Sequence, residues 1–377
     1  MAVWAREGRL NRHPEDHKRA DHEWVCEQSD AMKISYLLET TELSGGVRIV
    51  LDQARALGRL GHRVTVLARR GNHQWYPYDV PIRYLPDWTA PIGDKPDVLI
   101  GTFWTTIDPA LGMKASRVVH LCQGCEWTMP EYAPIREKIE AVYAYPIPKI
   151  TVGDWLSRQI LDKFGTHSFP VKNVGQIVDV RMFQRPSLFR SVLRRFKRPP
   201  FNILIVGMYD AWVKGISVAL EAVARLRSEG LPVRLIRVAT TQSRSAEEVL
   251  TPIDAFYLNI PAVRMAGLYQ EADLFLASSR WAEGFGLPFA EALASGLPVV
   301  ASAIPSYMSF DPKMDYACFV PENDSSAMAG AARKLLLDAG LRSRLGRRGP
   351  EVIQKNFDAE KVGIRLESFF RKLLADE

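Results

Sequence analysis

The sequence predicts an α/β protein of two parallel-sheet halves facing one crevice. Three observations predict it. A strand–glycine loop–helix–strand unit opens at Met32, and the same grammar restarts near residue 201. The length of 377 residues also exceeds one ordinary core, since a domain averages roughly 150 residues.

In the first half, Lys33 to Leu38 reads as a buried strand. A loop from Glu39 to Ser44 leads into Gly45-Gly46. Val47, Val50, Leu51, Ala54, Leu57 and Leu60 then follow the spacing of one helix face. Gly61 stops that helix, and Val64 to Ala68 is the next strand. Such a unit implies parallel pairing through a right-handed crossover. Further strands are expected at Asp97–Thr102, Arg117–Leu121 and Lys149–Val152. The aromatic stretch Trp75 to Trp88 lines an acceptor site or packs under a loop.

In the second half, Phe201 to Val206 is a strand ending at Gly207. Gly215 opens a helix with Ile216, Ala219, Leu220, Val223 and Leu226 on its apolar face, and Gly230 ends it before the strand Val233–Val238. A second unit follows: strand Asp273–Ser279, helix Pro288–Ser295, strand Val299–Ser302. The expected organisation is a polar extension over 1–31, an acceptor-side domain over 32–180 and a basic linker over 181–200. A donor-side domain over 201–356 and a helix crossing back to the first domain over 357–377 complete it.

Composition narrows the function. Apolar residues make up 47% and charged residues 24%, the balance of a globular chain. Against 43 acidic residues stand 49 basic ones, too small an excess to mark a nucleic-acid binder. Arg181, Arg185, Arg190, Arg194, Arg195, Lys197 and Arg198 sit together in the linker with no acid among them. With Leu188, Phe189, Val192, Leu193 and Phe196 they suit either a helix lying on an anionic membrane or a linker helix with a solvated basic face. Four cysteines are no disulfide framework. The first residues lack a secretory pattern, and no apolar run reaches the roughly 18 residues of a spanning helix. The expectation is a cytoplasmic protein, with membrane contact at 181–200 as the peripheral alternative. His13, His17 and His22 read as solvated histidines.

The most informative residues run from Arg280 to Gly296, after the carboxyl end of a strand, where open α/β sheets bind ligands. Pro288 suits the first helical turn and Gly296 the helix end. The preceding loop therefore offers free backbone N–H groups to an anion. Gly284 and Gly286 remove side chains that would hold a phosphate away. Glu283 and Glu291 bracket this loop. Carboxylates repel phosphate, so in a site they take hydroxyls, one on a sugar and one on a ribose. Otherwise they are acids favourable to the helix dipole. Lys214, beside Gly215 at another helix start, either meets a bound anion or is an exposed lysine. Neither G-x-G-x-x-G nor a Walker A loop is present. His120 closes a strand, and Cys122-x-x-Cys125 has no matching second pair, so these two read as small strand-end residues. No D-x-D occurs in the chain, so a metal-bridged diphosphate is not expected.

At these residues the chain resembles the retaining glycosyltransferases of family 4, with their two-domain GT-B architecture. Glu283-Gly-Phe-Gly-Leu-Pro-Phe-Ala-Glu291 resembles the family's Glu-x7-Glu motif. Ser44-Gly45-Gly46, Gly61 to Val66, Val206-Gly207 and Lys214-Gly215 follow the family's order. The likeness covers roughly residues 32–375.

The resemblance implies transfer of a sugar from a UDP-, GDP- or dTDP-linked donor to a carbohydrate or lipid-linked acceptor, with retention and without a divalent metal or other cofactor. It implies that Lys214 binds the diphosphate. Gly207 and the amides at Gly284, Phe285, Gly286 and Leu287 lie on the donor, Glu283 holds sugar hydroxyls and Glu291 the ribose. His120 would meet the donor sugar, and Gly46, with Gly45 beside it, would admit the donor phosphate or acceptor. The family's arginine after Val-Gly is replaced by Met208, with Arg48 and Arg280 as candidate substitutes. Val119 to Trp127 looks closest to a rhamnosyltransferase-like branch. Front-face attack by the acceptor hydroxyl is the expected mechanism, the leaving diphosphate taking its proton. A GT-B epimerase or phosphorylase, or a binding subunit without turnover, is the competing reading.

Overall fold

The computed structural model describes residues 31–90, 92–165, 169–187 and 199–376. The readings made for the extension up to residue 30, including its three histidines, and for Arg190, Arg194, Arg195, Lys197 and Arg198 lie outside these residues. So do those for Leu188, Phe189, Val192, Leu193 and Phe196.

Two all-parallel sheets form the molecule. The first has the order β3-β2-β1-β4-β5-β6-β7. Its strands are β1 (Lys33–Thr40), β2 (Arg63–Arg70), β3 (Ile82–Tyr84), β4 (Val98–Gly101), β5 (Arg117–Cys122), β6 (Lys149–Thr151) and β7 (Val171–Asn173). The second has the order β10-β9-β8-β11-β12-β13. It contains β8 (Phe201–Val206), β9 (Val233–Ala239), β10 (Ala255–Leu258), β11 (Leu274–Ala277), β12 (Val299–Ser302) and β13 (Cys318–Val320). Each sheet turns back on itself at its first strand: β1 lies between β2 and β4, and β8 between β9 and β11. Crevices form where strand order reverses in this way.

Helices connect the strands. In the first half these are α1 (Gly45–Arg59), α2 (Trp104–Gly112), α3 (Arg136–Tyr143) and α4 (Asp154–Phe164). In the second they are α5 (Ile216–Ser228), α6 (Ala262–Glu271), α7 (Leu287–Ala294), α8 (Ser325–Leu337) and α9 (Ala339–Asn356), with α10 (Ala359–Ala375) closing the chain. Helix α1 begins where Ser44 Oγ accepts the Val47 amide at 3.2 Å, satisfying one orphan donor. Its apolar face, Val47, Val50, Leu51, Ala54 and Leu57, is buried. Gly61 follows with φ +90°, which an L side chain rarely adopts.

The aromatic stretch resolves as packing. Trp75 Nε1 donates to the Thr41 carbonyl at 2.8 Å, Tyr76 OH to Asp52 at 2.7 Å, and Tyr78 OH to Asp179. Among the described residues no helix is long and apolar enough to cross a membrane.

Helix α10 follows the second sheet's last helices and returns to the first domain. Arg365 Nη1 donates to the Val174 carbonyl at 3.1 Å, and Arg117 Nε to the Leu373 carbonyl at 3.0 Å. A side chain at Gly363 would sit 3.4 Å from Ala56 and 3.2 Å from Leu60, so the glycine lets α10 lie against α1. Leu366 is fully buried in α10. Leu366→Ala should lower the unfolding free energy by about 2–5 kcal/mol, measured by urea denaturation.

Candidate active site

The second-domain wall is built from the carboxyl ends of β8 and β11. After β8, a turn over Trp212–Lys214 reaches Gly215 in the left-handed conformation. A Cβ there would lie 2.2 Å from the Ser278 carbonyl, so only glycine lets this turn press against the end of β11. Lys214 is thereby brought to the β11 loop, and its Nζ donates to Glu283 Oε2 at 2.7 Å. Ser279 Oγ donates to the same oxygen at 2.9 Å, and Tyr307 OH donates to Ser279 Oγ at 2.7 Å. The Tyr307 ring stacks on Phe289 at 4.2 Å. Gly286, with φ +78°, precedes α7; a Cβ there would stand 2.2 Å from the Tyr307 ring. Lys214, Ser279, Glu283, Gly286 and Tyr307 line one small cavity.

The facing wall comes from the first sheet. A Cβ on Gly46 would meet Gln123 Oε1 at 3.0 Å, and one on Gly284 would meet the Gln123 carbonyl at 1.7 Å. Trp155 Nε1 donates to the Gly284 carbonyl at 2.9 Å. The two domains thus touch where Gly284 meets Gln123 and Trp155. Gly45 has nothing within 4 Å of its Cβ position, so space alone does not require glycine there.

Several of the expected residues are buried. His120 stands near the carboxyl end of β5. It is 1% exposed, its ring lies 4.7 Å from Tyr143, and neither ring nitrogen has a partner. Burial, aided by nearby Lys149, pushes its pKa down to about 3. The residue at the crevice end of β5 is Gln123, three positions on. Phe285 turns its ring into the second domain, stacked on Phe310 at 4.8 Å and edge-on to Phe357 at 5.1 Å. Only its backbone remains toward the crevice loop. Leu287 is buried as well.

Glu291 does not stand open for a ligand. It is 4% exposed, and both oxygens are engaged, Oε1 by Arg48 Nη1 at 2.5 Å and Oε2 by Tyr269 OH at 2.9 Å. Burial raises its pKa, while Arg48 and Tyr269 oppose that shift. Arg48 is therefore committed rather than free for a phosphate. Arg280 lies beside the Lys214 turn, its guanidinium 5.0 Å over the Trp212 ring and its Nε without a partner. Met208 is 39% exposed next to Gly207.

Sequence reasoning missed Gln123, Trp155, Ser279, Tyr307 and Tyr269. Gln123 carried a usable signal: an amide between a strand end and Gly124. Trp155, Tyr269 and Tyr307 gave none, because each is set by a contact between distant segments, and Ser279 was read only as the end of its strand.

Residues 200–338 match the family described as glycosyl transferases group 1. The chain is 27% identical to a phosphatidyl-myo-inositol mannosyltransferase of Mycobacterium leprae over 271 residues, 71% of this chain and 65% of that protein. It therefore spans less than two thirds of that relative. Among solved structures, sucrose-phosphate synthase from Thermosynechococcus elongatus aligns with a TM-score of 0.73 at 18% identity, covering 92% of this chain and 100% of the other. Anabaena Alr3699/HepE in complex with UDP-glucose aligns at 0.72 and 15%, with the same coverages. These likenesses establish the fold as two parallel-sheet α/β domains of the GT-B kind.

The position of His120 generates a pH test. Its folded pKa lies below the ordinary 6.5. The unfolded chain therefore binds the extra proton between these values, and stability falls as pH drops through that window. The slope from this group should approach about 1.4 kcal/mol per pH unit. His120→Leu should remove it, as read by urea unfolding between about pH 6 and pH 4.

Proposed function

We propose that this chain, whose residues 200–338 match the glycosyl transferases group 1 family, is a retaining glycosyltransferase. It moves a sugar from a nucleoside-diphosphate donor to an acceptor hydroxyl without a divalent metal. The observation that carries this reading is the Lys214–Glu283 contact at the ends of β8 and β11, facing Gln123 across the crevice.

In this reading the donor diphosphate takes Lys214 from Glu283. The ammonium then meets the charge that grows on the leaving group, where a preorganised donor is most effective. Glu283, held by Ser279, turns to the sugar hydroxyls. The amides at Gly284 and Gly286 complete the anion site at the start of α7. The acceptor hydroxyl attacks from the face the diphosphate leaves, and its proton passes to the departing phosphate oxygen. Arg280, near Lys214 and without an ion-pair partner among the described residues, supplies the second cation that Met208 does not. Closure of the two domains excludes water and fixes the reacting atoms.

The mannosyltransferase name of the relative makes GDP-mannose the first donor to test, with UDP-glucose second and a dTDP-linked deoxyhexose third. Lipid-linked and glycan hydroxyls are the acceptor classes. Membrane contact through residues 181–200 fits a lipid-linked acceptor.

Lys214→Ala and Glu283→Ala should each cut turnover by at least about a hundredfold with the fold retained by circular dichroism. Near-normal turnover in either variant refutes the assignment. Activity should persist in EDTA. Loss that added magnesium or manganese restores would overturn the metal-independent reading.

A further inference from the structure

A buried polar chain joins the two domains beside the crevice. Tyr76 OH donates to Asp52 Oδ1 at 2.7 Å, and Asp52 Oδ2 lies 3.7 Å from Arg48 Nε. Arg48 Nη1 reaches across to Glu291 Oε1, and Tyr269 OH holds the other oxygen. The guanidinium also lies 5.1 Å over the Phe183 ring. One cation is thus shared by two carboxylates, and all three are buried or nearly so. Asp52 and Arg48 stand on α1, while Glu291 stands on α7 and Tyr269 on α6.

We propose that Arg48 is a latch that holds the crevice closed over Glu291 in the donor-free protein. This rests on the proposed function, in which Glu291 receives the donor's ribose hydroxyls. Neither oxygen of Glu291 is open to an incoming group while Arg48 and Tyr269 are in place. Withdrawing Arg48 within a closed interior would strand an unpaired buried charge, which is strongly disfavoured. Separating the domains avoids this, since both charges then reach water. The donor therefore enters only the opened molecule, and its ribose replaces Arg48 on Glu291. A ligand that binds only a minor state has its apparent affinity reduced by that state's population.

The test uses the full chain with two readouts. Hydrogen–deuterium exchange is followed on peptides covering residues 122–125 and 283–287, which meet across the crevice. Binding of GDP and UDP is measured by calorimetry. Arg48→Met keeps an unbranched apolar stem at this position and removes the charge. It should exchange faster in both peptides and bind the cognate nucleoside diphosphate about tenfold or more tightly. Arg48→Lys should restore slow exchange in part.

Unchanged exchange in Arg48→Met overturns the latch. So does faster exchange with weakened nucleotide binding, since Arg48 is then a donor ligand. Faster exchange spread evenly over the whole chain also overturns it, marking a structural role only. If both peptides open but neither protein binds any nucleotide, the latch stands and the donor reading falls. Should the methionine variant not fold, Arg48→Gln keeps a donor toward Glu291 and carries the same expected directions.

Discussion

Gly284 and Gln123 meet backbone to backbone across the crevice, and the rest of the site is arranged around that approach. A single added carbon on Gly284 would fall 1.7 Å from the Gln123 carbonyl, far inside any allowed contact. The same demand recurs behind it. Gly215 fits under the Ser278 carbonyl and Gly286 under the Tyr307 ring, each leaving about the room of a hydrogen atom. These glycines let two strand ends, a helix start and the opposite domain converge on one point. Lys214 reaches Glu283 only because Gly215 lets its turn press onto the end of β11.

Two kinds of buried or part-buried ion pair stand near this point, and their surroundings separate them. Arg237 and Glu247 are wholly inaccessible and fully satisfied. Arg237 bonds Glu247 through Nε and Nη2, and also the Gly207 carbonyl at 2.7 Å and the Val238 carbonyl at 2.6 Å. Ser243 OH donates to the same carboxylate at 2.6 Å. That pair braces the turn after β8 and has no donor left for a ligand direction. Lys214 and Glu283 are joined by a single contact at the cavity wall, and Lys214 stays part-exposed. One interaction is closed on itself, and the other stands part-exposed at a cavity wall.

The long apolar strands, the helix periodicities and the Glu283–Glu291 loop were legible because each is a local pattern. The edge strands β3, β7, β10 and β13 were not. Each has only three or four residues, too few for alternation to rise above chance, and each is defined by its neighbour. Strand β5 runs one residue past the expected end, to Cys122, and the next residue, Gln123, is the one that meets Gly284. Arg48 and Glu291 are separated by 243 positions. Nothing in either local sequence announces the other, and only closure of two domains pairs them.

Charge balance explains why acids line a crevice proposed to take an anion. Lys214, Arg48 and Arg280 bring three positive charges, while Glu283, Glu291 and Asp52 bring three negative ones. Of the cations, only Arg280 lacks a carboxylate partner among the described residues. A crevice with the cations alone would hold them close together against their mutual repulsion, at a cost that rises as water is excluded. The carboxylates neutralise two of them in the donor-free protein and fix where their side chains point. In the proposed reading a sugar nucleotide brings phosphate oxygens for Lys214 and hydroxyls for Glu283 and Glu291, while Arg48 is released to water. Binding is then an exchange of partners rather than an addition of charge to a neutral site. On that proposal, a molecule with only one of those groups leaves half of the Lys214–Glu283 pair unmet, so the pairing would also tell ligands apart.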